Sequence, residues 1–239
     1  MTLLAGSNPL LTNCVIAGNG GDGIEMWAMQ GSRQVLYSHA TILYCDILGN
    51  RGNGIRGGRP TVDSTIIRAN GRVAGTTQII ANAPIVSYSN VQGGWSGEGN
   101  IDADPDFVKP GLWADRTDPN EPAVAGDTNA VWVGGDYHLR EGSPCIDAGN
   151  PVIIMWMGVE IDGVWRAVGS APDIGAYEFA VLPSSVSTSE LARSYGTRAT
   201  AADAGKVRGS NLGRLGGQTY TFHIFPQHCY SSERRSFCI

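Results

Sequence analysis

Few side chains in this sequence stand where chemistry could be done. Glu25 and Arg56 occupy one position of an internal repeat, and Asp22 and Asn53 another, so each pair would lie one above the other when the repeats stack. Asp46 falls on the outward side of a middle strand, and Arg68 projects from the same face one repeat further and one outward position along. A base beside a charge-neutralising partner can abstract a proton, and two carboxylates at a fixed separation can hydrolyse a glycosidic bond. The same residues also describe an ordinary surface ion pair, worth about 0–1 kcal/mol. No ladder of carboxylates runs through the repeats, and His39 is the only histidine among them.

Metal chemistry has two candidate sets. Asp102, Asp104 and Asp106 have the alternate spacing of Ca2+ ligands. An EF-hand loop would need Gly at its sixth position and Glu at its twelfth, where this chain has Phe107 and Trp113. The competing role for the three aspartates is turn formation and capping of local N–H groups. His223, His228, Cys229 and Cys238 could be written as a zinc set, but their spacing fits no standard pattern.

The elements that must position these residues are repeats. With a shift of 31, Asn19-Gly20-Gly21-Asp22-Gly23-Ile24 falls on Asn50-Arg51-Gly52-Asn53-Gly54-Ile55, Cys14 on Cys45 and Ile16 on Ile47. A shift of 20 then brings Thr65, Ile67 and Asn70 onto Cys45, Ile47 and Asn50. A shift of 24 carries Pro60, Val62, Thr65 and Ile67 onto Pro84, Val86, Ser89 and Val91. Each copy reads as three short strands separated by turns, with no room for a helix. So small a unit cannot bury its apolar side alone, and successive copies must stack as coils of a parallel β-helix.

Stacking turns repeat positions into ladders. Leu11, Ile42, Val62 and Val86 form one interior row, Ile16, Ile47, Ile67 and Val91 a second, and Cys14, Cys45, Thr65 and Ser89 a third of small side chains. Asn19, Asn50 and Asn70 share a corner, where asparagine tolerates a left-handed backbone and its amide can bond to neighbouring coils. Pro9, Pro60 and Pro84 each open a strand, where a missing N–H does little harm. The sequence between copies at 27–39, bounded by Trp27 and His39, and at 72–78, opening on Arg72, leaves the coil as loops. Such loops are common binding elements.

Composition agrees with a turn-rich β protein. Glycine is high at 33 residues and charged residues make up only 16%. Residues 184–239 hold seven Lys/Arg against three Asp/Glu, a balance of +4, which leaves −9 on the remainder of a chain whose net charge is −5. An acidic body argues against nucleic acid, whose binding needs a basic face. Five cysteines do not form a disulfide framework, and Cys14 and Cys45 read as small inward residues. No apolar run has the length of a membrane span. Met1-Thr2-Leu3-Leu4-Ala5-Gly6 lacks the features of a signal peptide, and the chain starts almost inside its first repeat, as a mature or truncated product would.

The periodicity fades from about Gly93. There follow Asp102-Ala103-Asp104-Pro105-Asp106-Phe107, Gly135-Asp136-Tyr137-His138-Leu139, Ser143-Pro144-Cys145-Ile146-Asp147-Ala148-Gly149 and Asp173-Ile174-Gly175-Ala176-Tyr177-Glu178. With the asparagine-cornered coils before them, these motifs resemble the bacterial right-handed parallel β-helix proteins of the pectate-lyase-like superfamily, particularly secreted ones ending in a choice-of-anchor type module. The resemblance covers roughly residues 8–179. It implies an extracellular or surface-attached protein, and a polysaccharide or cell-surface glycan as partner, without implying a known reaction. A lyase on this scaffold would use Arg68 or Arg56 as base and Asp46 as part of a calcium site.

The expected organisation is therefore coils over 1–99, an irregular capping region over 100–180 and a basic tail of low order over 181–239. The cap would cover the unpaired edges of the last coil, with Trp113, Trp132, Tyr137, Trp156, Trp165 and Tyr177 supplying aromatic area. Leu182-Pro183-Ser184-Ser185-Val186 departs from a sortase-type signal, and a truncated or altered reading frame is one explanation of that departure. Two functions fit the sequence. One is an all-β scaffold that binds glycans or partners through Glu25, Trp27, His39 and Arg72 without catalysis. The other is a polysaccharide lyase or glycoside hydrolase acting on acidic polysaccharide through Arg68, Arg56 and Asp46.

Overall fold

In the computed structural model the repeat positions aligned by sequence are hydrogen-bonded neighbours. The structure describes residues 1–180 except 33, 73–74, 124–126, 128, 153–157 and 167, together with the backbone of Ser210–Leu215 and Gln218–His223. Trp156, His228, Cys229, Cys238 and the segment from Leu182 to Val186 lie outside the described residues. The chain divides into two units, Met1–Val181 and Leu182–Ile239. Among the described residues every regular element is a strand.

Three parallel sheets build the first unit. Sheet one stacks Thr2–Leu3, Ile24–Met26, Ile55–Gly57 and Ile79–Ile80; sheet two stacks Leu10–Thr12, Thr41–Leu43, Thr61–Asp63 and Ile85–Ser87; sheet three stacks Val15–Ala17, Asp46–Leu48, Ile66–Arg68 and Asn90–Val91. The chain visits sheets two, three and one in turn and then begins the next coil, which makes a β-solenoid. The registers are those of the ladders: Leu11 pairs with Ile42, Ile42 with Val62 and Val62 with Val86, while Ile16, Ile47, Ile67 and Val91 run in parallel. These side chains, with Ile24, Ile55 and Ile79 from sheet one, form the interior core. Each fully buried member contributes about 1.5–3 kcal/mol of hydrophobic stabilisation.

Polar ladders hold the corners. The Asn50 carboxamide oxygen accepts from the Asn19 N–H (3.0 Å) and side-chain amide (2.7 Å), and the Asn70 oxygen accepts in the same way from Asn50 (3.0 and 2.8 Å). Gln78 closes this row by accepting from the Asn70 amide at 2.8 Å. The left-handed residue at that corner is the one before each asparagine, namely Gly18, Gly49 and Ala69, so the asparagines serve as bonding groups and not as turn formers. The small row also bonds in a uniform way. Cys14, Cys45, Thr65 and Ser89 each donate to the carbonyl two residues earlier, at 3.1, 3.2, 2.9 and 2.8 Å.

The last coil is covered by the short stretch from Trp95 to Ile101 and not by the residues that follow it. Trp95 packs on the interior core, Ile101 bridges to Asn90, and the Asn100 amide donates to the Val86 carbonyl. Residues beyond 102 run back along the outside of sheet three. Leu48 and Ile66, with Val15 and Ala17, point outward there and pack with Phe107, Tyr137, Leu139, Cys145 and Ile174 in a second core. The expected end cap is thus a lateral cover. Its frame is two antiparallel pairs, Phe107–Lys109 with Asp136–Leu139 and Leu112–Ala114 with Val131–Val133. Trp113, Trp132, Tyr137 and Tyr177 belong to this cover, whereas Trp165 is 49% exposed.

In the second unit, Ser210–Leu215 pairs antiparallel with Gln218–His223.

Candidate functional site

The outward face of sheet one keeps the expected neighbours together. Glu25 pairs in register with Arg56, whose guanidinium lies 3.7 Å from the Glu25 carboxylate and 3.5 Å from that of Asp22. Asp22 in turn accepts from the Asn53 N–H (2.6 Å) and side-chain amide (2.8 Å). The Arg56 side chain is solvent-exposed, so this network is worth little to stability and stays available to a ligand.

Beside this network stands the first loop. Residues 27–39 fold as an antiparallel hairpin of Ala28–Gln30 with Val35–Tyr37, braced by the Arg59 guanidinium 4.5 Å over the Tyr37 ring. Trp27, at its base, is 55% exposed and lies two residues along from Glu25 on the outward face. Met29 and Leu36 are also exposed. His39, at the other end, is exposed, and its N–H donates to the Ser7 carbonyl at 2.9 Å. Arg72, in the second loop, reaches the Ala123 carbonyl at 3.2 Å and lies apart from this group.

The outward placement of Asp46 holds only relative to the solenoid, and the expectation that it faces solvent is corrected. Asp46 is 0% exposed because the lateral cover seals it. Its Oδ1 accepts from the Ala176 N–H at 3.1 Å, and its Oδ2 is buried without a partner among the described residues. Burial pushes its carboxyl up to about 7, against the smaller opposing effects of the Ala176 hydrogen bond and the Arg166 charge. Arg68 donates to Asp102 at 2.8 Å and to Asn90 at 3.0 Å. Arg56 belongs to sheet one and Asp46 and Arg68 to sheet three, so the three residues of the lyase reading do not converge on one cleft.

The aspartates at 102, 104 and 106 go to separate partners. Asp102 takes Arg68 and the Gly93 N–H (3.0 Å), and the arginine hydrogen bond holds its carboxyl below the usual range. Asp104 accepts from the Asp106 N–H at 3.0 Å, closing a local turn, and Asp106 lies 3.3 Å from Arg140. No group of three metal-ligating side chains converges among the described residues. Ca2+ therefore finds no assembled ligand set in this trio.

Two features escaped the sequence reading. A cleft of about 140 Å3 lies between sheet three and its cover, lined in part by Arg68, Asp104, Phe107, Pro110, Trp132 and Tyr137. On the cover itself, His138 is held between Asp136 (2.5 Å) and Asp162 (2.6 Å), with the Tyr177 ring centred 4.3 Å away and tilted by 40°. Burial opposes the charge on His138, but its two carboxylate partners outweigh it and raise the imidazole above its ordinary value.

Fold and surface together define a parallel β-solenoid with a laterally docked C-terminal segment and an aromatic hairpin on its first sheet. Comparison with family models, curated proteins and solved structures finds no match to the chain. No helix among the described residues is long and apolar enough to cross a membrane.

Proposed function

We propose that this chain is a secreted or cell-surface right-handed β-helix of the pectate-lyase-like kind, which binds glycans or protein partners through its loops and does no chemistry. The observation that carries this reading is Trp27, a large exposed aromatic two residues along the chain from Glu25, which itself pairs in register with Arg56 on sheet one. An indole face offers apolar area to the C–H face of a sugar ring, while the neighbouring carboxylate and guanidinium offer hydrogen bonds to its hydroxyls. The commitment of Arg68 to Asp102 and of Asp46 to the lateral cover supports a binding role over a lyase role.

The test is a panel of acidic and neutral polysaccharides, read for binding and for the absorbance of unsaturated product. Binding that Trp27→Ala abolishes, without product, supports the proposal. Product formation, or binding indifferent to Trp27→Ala, overturns it.

A further inference from the structure

The lateral cover is fastened to the solenoid where one guanidinium meets several buried acids. Arg166 is 1% exposed. It donates to the carbonyls of Gly175 (2.9 Å) and Ala176 (2.5 Å) and to the Asn13 carboxamide oxygen (2.7 Å), and it lies 4.6 Å over the Tyr44 ring. From the solenoid, Asp46 and Tyr44 face this interface, with Asp63 alongside Tyr44. From the cover come Glu178, 3.8 Å from Arg166, together with Asp173 and Glu160; Asp147 flanks Asp173. Cys145 and Tyr137 border Asp46, and Tyr177 carries the His138, Asp136 and Asp162 group on its outer side.

One buried cation thus serves four buried carboxyls: Asp46, Asp173, Glu178 and Glu160. Neutral donors meet the rest of their needs in part. Glu178 accepts from the Val168 and Asp173 N–H groups, and Asp173 from those of Asp147 and Phe179. Asp46 Oδ2 and Glu160 Oε2 have no partner among the described residues. A buried carboxylate oxygen without a partner is costly, and a protonated carboxyl removes the charge that makes it so.

We propose that this interface is a proton-coupled latch: the part of the cover that carries Arg166, Asp173 and Glu178 docks on the solenoid with net proton uptake by Asp46 and its neighbouring acids, and loosens as the pH rises. The sign follows from the shifts. Burial pushes Asp46 up to about 7, Asp173 to about 6 and Glu178 to about 8, all above their values in an undocked segment. The docked form holds more protons, so docking is strongest below about pH 4 and weakens as pH rises through about 6 to 8. The latch is independent of the binding role proposed for Trp27.

Hydrogen exchange on the full chain, corrected for the intrinsic pH dependence of exchange, tests this directly. The amides of Gly175 and Ala176 bond to Ser64 and Asp46 across the interface and report docking, while those of Ile66 and Asn90 report the solenoid. Protection of the first set should fall at least about tenfold between pH 5.5 and 8.5, with the second set unchanged. Asp46→Asn keeps the acceptor for Ala176 and replaces the orphan oxygen with an uncharged amide, so it should flatten that dependence and raise protection at pH 8.5. Protection that is independent of pH in the wild type overturns the latch, as does an unaltered slope in a folded Asp46→Asn. If that variant does not fold, the wild-type profile alone decides.

Discussion

The N–H of Ala176 donates to the Asp46 carboxylate at 3.1 Å across 130 residues of sequence. Around this bond the left-handed corner residues between sheets two and three form a docking row. The Asn13 amide donates to the Val159 carbonyl, Tyr44 lies under Arg166, and Ser64 accepts from the Gly175 N–H at its carbonyl and from the Asn150 N–H at its hydroxyl. A non-glycine residue at positive φ costs on the order of 1 kcal/mol. Here the conformation turns three successive corner side chains toward one partner segment.

Arg166 holds that segment, and its removal is predicted to be the most damaging single change in the cover. Arg166→Met leaves the Gly175 and Ala176 carbonyls unpaired and the buried acids without their cation. A loss of about 3–5 kcal/mol is expected at pH 7. The loss should shrink near pH 4, where the acids are neutral. Urea unfolding followed by tryptophan fluorescence at the two pH values checks both statements, and equal losses would contradict the electrostatic account.

The interior of the solenoid was legible in the sequence because each coil repeats the same inward position, as Leu11, Ile42, Val62 and Val86 do. The lateral cover was not, although a signal existed. Val15-Ile16-Ala17, Ile47-Leu48 and Ile66-Ile67 are continuous apolar runs, the mark of strands buried on both faces, and reading them for alternation alone left the outer face to solvent. Asp46 was misplaced for that reason. The docking row could not be read, since Asn13, Tyr44, Ser64 and Tyr88 share a backbone conformation and no side-chain type. The pairs Arg68–Asp102 and Arg140–Asp106 join residues outside the repeat register, which alignment of the copies cannot reveal.

The asparagine row should show a steep difference between its middle and its end. Asn50 is fully buried; it accepts two hydrogen bonds from Asn19 and donates to the Ile16 carbonyl (3.1 Å) and the Asn70 oxygen. Asn50→Ala strands several of these groups, at about 1–3 kcal/mol for each one left buried and unpaired. Asn19 is exposed, and Asn19→Ala should cost within about 1 kcal/mol. Thermal and urea melts of the two variants make the comparison.

His138 adds a second dependence on pH with the same sign as the latch. Its imidazole titrates above the ordinary value, because the bonds to Asp136 and Asp162 overcome the opposing effect of burial. Its contribution is fully present below about pH 6.5 and is lost as pH rises through the raised folded value. The stability difference between wild type and His138→Asn should therefore narrow from pH 6 to pH 9, and narrow further in high salt, since the pair is half exposed. An NMR titration of the His138 ring proton gives the direction of the shift independently.

Gly49 joins the two layers, and its substitution separates backbone strain from packing. Its φ is +60, and a Cβ there would lie inside the van der Waals radius of the Trp132 ring, while its carbonyl accepts from the Trp113 indole at 2.6 Å. Gly49→Ala should cost about 2–4 kcal/mol, from left-handed strain of about 1 kcal/mol together with overpacking. The equivalent residue one coil on is Ala69, which holds φ at 56 with its methyl in place. Ala69→Gly relieves that strain but enlarges the entropy of the unfolded chain, so it should change stability by less than about 1 kcal/mol. Urea melts of both variants, with the fluorescence of Trp113 and Trp132 as reporter, decide the matter. A Gly49→Ala cost no larger than that of the Ala69 change would show that the indole of Trp132 does not rest on this corner.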